Sequence, residues 1–286
     1  MGGCGRQVPT GGSATPAPKR RATTRRATTT RRVKRVLNCK PSPKVEDDWT
    51  FEHAAAADIV AAAPAIPASK DLRATWWKIN DQGSTGSCVG WATADGVLRW
   101  HFVNGGRVGK DELLSPRFIW MSAKETDQFI TEPTTFIESE GTSLKAALDV
   151  ARKFGEVRDA LLPFGTGALY TGDTQTFYAT ASQLKIQSYF NLKVADWKSW
   201  LATKGPILTR LGVDKTWDDA TKTNGNLDLY KPNTVRGGHA VAIVGYKTDR
   251  FIVRNSWGTS WGDKGFGYAS LAYAQDAFTE AYGVAV

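Results

Sequence analysis

Three short segments stand far apart in this 286-residue chain, and each offers one group to a shared site. Gln82-Gly83-Ser84-Thr85-Gly86-Ser87-Cys88 supplies a thiol. Gly237-Gly238-His239-Ala240-Val241-Ala242-Ile243-Val244-Gly245-Tyr246 supplies an imidazole, and Asn255-Ser256-Trp257-Gly258 a side-chain amide. A sulfur nucleophile needs a base beside it and a third group that holds the base in place. If the three segments serve one site, the fold must bring residues 239–255 back to Cys88. Few folds satisfy that demand.

Local patterns agree with it. Ser87 is a good N-cap type and Gly105-Gly106 a stop, which predicts a helix from Cys88 to about Phe102. Leu144, Ala147, Leu148 and Ala151 recur at helical spacing and predict a second helix to Phe154. Val194 to Leu201 suggests a third. Val241 to Tyr246 and Phe251 to Arg254 are strand-like runs, and glycines 258, 262, 265 and 267 punctuate turns beyond them. Helices first and strands later is an α+β pattern.

Charge divides the chain. Residues 1–44 hold 12 of the 37 Lys/Arg and none of the 28 Asp/Glu, so the remaining 242 residues carry a net −3. The basic stretch is rich in Thr, Ala, Gly and Pro and cannot bury enough apolar surface to offset its ordering entropy. It reads as a disordered tail, with non-specific polyanion contact as its sharpest use. Residues 45–65 read as an Ala/Pro-rich linker with a short helix near Ala54–Ala57, and a folded domain spans 66–286. Of Cys4, Cys39 and Cys88, only Cys88 falls in that domain, which predicts no internal disulfide and suits a reducing compartment. No secretory signal or transmembrane run is visible, so the expected location is cytoplasmic, away from membranes.

Cys88 opens the first predicted helix, whose unpaired N–H groups and dipole favour a thiolate. His239 is the base: His53 lies in the linker, and His101 sits several turns down the Cys88 helix. Asn255 follows His239 by 16 residues, and adjacent antiparallel strands would set the two side by side.

The ordered set of Gln82, Cys88, His239 and Asn255-Ser256-Trp257-Gly258 resembles the papain-like cysteine peptidases over most of residues 66–286. The resemblance implies a two-lobe α+β fold, with a helical left lobe, a β-rich right lobe and a cleft between. It implies hydrolysis of peptide bonds in peptide or protein substrates by a monomer, with no metal or organic cofactor. Cys88 would be the nucleophile, His239 the acid–base and Asn255 its orienter. Gln82 would complete an oxyanion hole, where each donor is worth roughly 2.7–4 kcal/mol. Gly141 and Thr142 would bind substrate main chain, Gly238 and Trp257 would join the substrate-binding set, and Trp257 would shield the His239–Asn255 bond.

The chain departs from the family pattern at Thr85, where the family has a cysteine, and at Val89, where it has an aromatic residue. The family's long helical prosegment also has no counterpart in residues 1–65, so no family-style zymogen is expected. Two rivals keep parts of this reading: a thiol hydrolase acting on cell-wall peptides, and an inactive scaffold tethered by its basic tail.

Overall fold

A computed structural model of the chain describes residues 1–5, 34–61, 66–126, 140–166 and 172–286. Two units are distinguished, Met1–Arg32 and Val33–Val286. Most of the predicted tail, and residues 62–65 of the linker, lie outside the described residues.

The helices of the larger unit are α1 (Phe51–Ala56), α2 (Cys88–Thr93), α3 (Arg99–Asn104), α4 (Pro116–Thr126), α5 (Leu144–Lys153), α6 (Thr174–Ala181), α7 (Trp197–Thr203), α8 (Thr216–Asp219) and α9 (Leu271–Ala277). The strands are β1 (Lys70–Asp71), β2 (Ser188–Asn191), β3 (Ile207–Gly212), β4 (Asn226–Leu227), β5 (Gly238–Tyr246), β6 (Arg250–Arg254), β7 (Phe266–Ser270) and β8 (Phe278–Ala285). A π-helical turn, Ala94–Leu98, joins α2 to α3, so the predicted Cys88 helix is one run to Asn104.

The sheet order is β2-β8-β3-β5-β6-β7-β4, with β1 also paired to β5. All pairings are antiparallel except β4–β7. Helices α2, α4 and α5 pack together, and α2 also packs on β5. The arrangement is the expected α+β one: α2, α4 and α5 form one side, the sheet with its own flanking helices the other, and the Cys88 helix sits where they meet.

Local chemistry explains several elements. Ser143, Asp173 and Ser270 each accept a backbone N–H at the N-terminus of α5, α6 and α9. Each such cap is worth about 1 kcal/mol. The apolar stripe of α5 is fully used, with Leu144, Ala147, Leu148 and Ala151 all buried. Gly90 is required by packing, because a Cβ there would lie 2.2 Å from the Pro116 carbonyl oxygen. Its absence lets α4 close directly over the first turn of the Cys88 helix.

The N-terminal boundary differs from the expectation. Residues 34–44, assigned from sequence to the tail, form an ordered strap on the body, and Cys39 and Ser42 are buried. In the linker region, α1 packs beside β2, with Ala54 and Val60 in the core. The sequence offered too few large apolar side chains to predict this, because the strap is held mainly by backbone and charged groups.

Candidate active site

His239 is the second residue of β5 and Asn255 directly follows β6. The β5–β6 register pairs Ala242 with Arg254, and continued by one step it sets Asn255 opposite Val241. His239 and Val241 share a face, so Asn255 is the diagonal neighbour of His239, within reach of a long side chain. The result is a 2.8 Å contact between His239 Nε2 and Asn255 Oδ1. An amide oxygen can only accept, so Nε2 carries the hydrogen. Asn255 Oδ1 also accepts the Ser256 backbone N–H at 2.8 Å, which fixes the amide.

Nδ1 has no hydrogen-bond partner and is the ring nitrogen left for sulfur. Cys88 is the first residue of α2, and the His239 imidazole favours its charged form. The thiol is held well below its ordinary pKa. The largest cause is a hydrogen bond from Cys39; the His239 bond and charge and the Ala240 backbone N–H add to it, and burial opposes them. Ser87 occupies the N-cap position, but its side chain does not cap. Its hydroxyl instead pairs with Thr85 Oγ1 at 2.6 Å.

Thr85 has its own role in this loop. Its hydroxyl donates to the Gln82 carbonyl at 2.8 Å, and its carbonyl accepts from Gln82 Nε2 at 3.1 Å. These bonds hold the loop without a disulfide. Gln82 Oε1 accepts from Ser256 Oγ at 2.8 Å, and the Gln82 N–H donates to the Ser256 carbonyl at 2.9 Å. The Gln82 amide is thus fixed to the Asn255 segment, and its second N–H remains for a ligand.

Trp257 lies over the imidazole, with centroids 4.7 Å apart and planes 31° apart. Trp217, which the sequence did not single out, meets the same ring edge-on at 5.6 Å and stacks on Trp261 at 4.7 Å. Trp217 donates to Tyr273, and Tyr273 donates to the buried Asp214 at 2.6 Å. Under these aromatics His239 and Asn255 are buried. No periodic signal marks Trp217; it comes from α8, a four-residue turn.

A second unpredicted group ties the two halves together. Asp95, on the Cys88 helical run, accepts from Arg254 at 2.7 Å and from Arg99 at 3.1 Å. Arg254 immediately precedes Asn255, so this ion triad links the element bearing the thiol to the strand that delivers the amide.

The strap runs through the site. Cys39 N–H donates to the Gly238 carbonyl at 3.1 Å, and Lys40 N–H to the Thr142 carbonyl at 3.0 Å. Gly141 and Thr142, predicted to bind peptide main chain, and Gly238, predicted to join the substrate-binding set, thus receive the chain's own residues 38–40. A Cβ on Gly141 would lie 2.1 Å from the Asn38 carbonyl oxygen, and one on Gly238 2.2 Å from that of Cys39. Arg35 pairs with Asp81 and donates to the carbonyls of Gly83 at 2.9 Å and Trp257 at 3.0 Å. Ser42 N–H donates to Glu280 at 3.0 Å, and Lys145 Nζ pairs with Asp48 at 2.5 Å. Cys88 and His239 are therefore both 0% exposed.

This arrangement corrects one sequence inference. The folded body contains two buried thiols, Cys39 and Cys88, and each shifts the other's pKa. His53 and His101 stay outside the site, as expected. His53 accepts from Thr50 in the α1 capping box, and His101 is pushed down to about 4 by burial and Lys204. Among the described residues no helix is long and apolar enough to cross a membrane.

Comparison with known proteins agrees with the geometry. The sequence model of the papain family cysteine proteases matches residues 66–281. Among curated relatives, cathepsin B-like CP3 of Giardia intestinalis is 27% identical over 66% of this chain and 62% of its own length. Mouse (Mus musculus) cathepsin K is 32% identical over 36% of this chain and 33% of its own. The chain thus spans less than two thirds of either relative. Among solved structures, xylellain, a cysteine protease from Xylella fastidiosa, superposes with a TM-score of 0.69 at 22% identity, covering 90% of this chain and 98% of its own.

Proposed function

The chain belongs to the papain family of cysteine proteases, and on that premise we infer that it is a cysteine peptidase hydrolysing peptide bonds through a thioester acyl-enzyme. The observation that carries this reading is the continuous contact from Cys88 through His239 to Asn255, roofed by Trp257.

The depressed thiol makes Cys88 a thiolate that attacks the scissile carbonyl. His239 Nδ1 protonates the leaving amine and then draws a proton from the water that opens the thioester. Asn255 holds Nε2–H and so keeps Nδ1 aimed at the sulfur. The second N–H of Gln82 and the Cys88 backbone N–H receive the developing oxyanion. Gly141, Thr142 and Gly238 align the substrate backbone, the role they play for residues 38–40 in this closed form. The strap must leave before substrate enters. Free thiols in the site suit a reducing setting such as the cytoplasm.

The test is an irreversible peptidyl probe directed at thiols, applied after limited proteolysis between residues 45 and 65. The expected adduct maps to Cys88 and is lost in His239→Ala. Unlabelled, folded protein would favour the inactive scaffold instead.

A further inference from the structure

Cys39 is placed with unusual care for a strap residue. It is 2% exposed, its N–H is held by Gly238, and its carbonyl accepts from Arg210 Nε at 3.0 Å. Gly238 presents no Cβ to that carbonyl. The backbone is thus clamped on both sides against Gly238, the residue before His239, and the buried Cys39 thiol interacts with that of Cys88. Occupying the cleft requires only a main chain of suitable shape. It does not require a second thiol against the first.

We propose that Cys39 and Cys88 form a reversible disulfide that locks the strap covalently in the cleft. The clamp that holds Cys39 beside His239, and the burial of both cysteines there, carry this inference. Its consequence for activity rests on the peptidase reading above; the sulfur chemistry does not.

The oxidant is a small-molecule disulfide. When the strap lifts, the Cys88 thiolate attacks one of its sulfurs, forming a mixed disulfide and expelling one small thiolate. The strap returns, and Cys39 attacks the Cys88 sulfur, expelling the second small thiolate, which takes up the Cys39 proton. Two protein thiols are oxidised to one disulfide, and one small disulfide is reduced to two thiols. Cys39 thus acts as a resolving cysteine and keeps Cys88 from climbing to irreversible oxidation states. The directions agree: Cys88 is held below the ordinary thiol value, and Cys39 is raised above it by burial and by its neighbour's hydrogen bonding and charge.

The test uses the full chain in a Cys4→Ser background, which removes the exposed thiol. The protein is incubated with oxidised glutathione, digested without reductant and read by mass spectrometry. The expected product is a peptide joining residues 39 and 88, reversed by dithiothreitol. In Cys39→Ser, and equally in Cys39→Ala, Cys88 should instead retain glutathione. Stable glutathionylation of Cys88 in the parent, with Cys39 still free to alkylate, overturns the proposal. Peptide hydrolysis is assayed in parallel after strap removal. Hydrolysis without the cross-link ends the lock and spares the peptidase reading; the cross-link without hydrolysis does the reverse.

Discussion

Asp95→Asn should destabilise this protein far more than an ordinary surface charge change. The Asp95, Arg99 and Arg254 side chains are each only 3% exposed. Asp95 Oδ2 also accepts from Asn80 at 3.2 Å. Removing the carboxylate charge leaves two guanidinium groups buried together, with an amide N–H₂ turned toward one of them. Breaking a buried pair in this way costs about 3–5 kcal/mol. Part of that loss is cushioned. Arg99 also donates to the carbonyls of Glu112 and Lys110, and Arg254 to that of Lys78 while lying 4.7 Å from the Trp77 ring centroid. The lower end, about 3 kcal/mol, is therefore expected. For a body of this size that corresponds to a fall in Tm of roughly 6–12 °C. Thermal unfolding followed by calorimetry measures it. Because the charges are buried, added salt should change the loss little. Replacing Arg254 by Met in the same chain should recover part of it, since one uncompensated cation is removed. A loss below about 1 kcal/mol, or one that vanishes in high salt, would refute the claim that this triad holds the thiol-bearing helix to the strand leading to Asn255.

Asn255→Ala frees the imidazole and leaves Nε2–H unpartnered, so kcat/KM should fall about 5- to 150-fold, the equivalent of losing one buried hydrogen bond; an unchanged value would remove its orienting role. Gly238→Ala forces a Cβ against the Cys39 carbonyl oxygen, so iodoacetamide should label Cys88 faster than in the parent protein; equal protection would show that the strap does not close the site. Cys39→Ala removes the first of the causes that lower the Cys88 pKa, so the thiolate should persist less far below the usual value of about 8.5. The ratio of Cys88 alkylation at about pH 6 to that at about pH 9 should therefore drop, and a constant ratio would contradict the assigned hydrogen bond. We further propose that residues 1–33 supply polyanion contact. Their removal should shorten retention on heparin at low salt and leave peptide hydrolysis intact, whereas equal retention would place that contact elsewhere.

The sequence exposed those parts of the molecule whose physics is local. The α5 stripe, the apolar run of β5 and the glycine pair before His239 each state their structure within a few residues. The pairing of His239 with Asn255 was also legible, because a strand, a short turn and a second strand fix the register between them. Other features needed the third dimension. The tryptophan roof depends on Trp217, carried by a four-residue helix with no pattern of its own. The Asp95–Arg254 bond joins residues 159 apart, and a lone buried aspartate on a helix looks like any polar residue. Gly90 is explained only by the Pro116 carbonyl it admits.

The strap was missed for a more instructive reason. Composition says whether a segment can fold by burying its own apolar surface, and by that measure residues 34–44 cannot. It does not say whether a preformed groove will hold the segment. Here the groove offers the Thr142 and Gly238 carbonyls, two glycines without Cβ atoms, and a carboxylate for Arg35. These contacts are those of one main chain binding another, so they make little demand on side-chain type. A site built to grip peptide backbone will grip its own chain when a suitable segment lies near. The one side chain that such binding does not explain is Cys39. Serine or alanine would leave both backbone bonds intact, and only sulfur gives Cys88 a partner that oxidation can join to it and reduction can release.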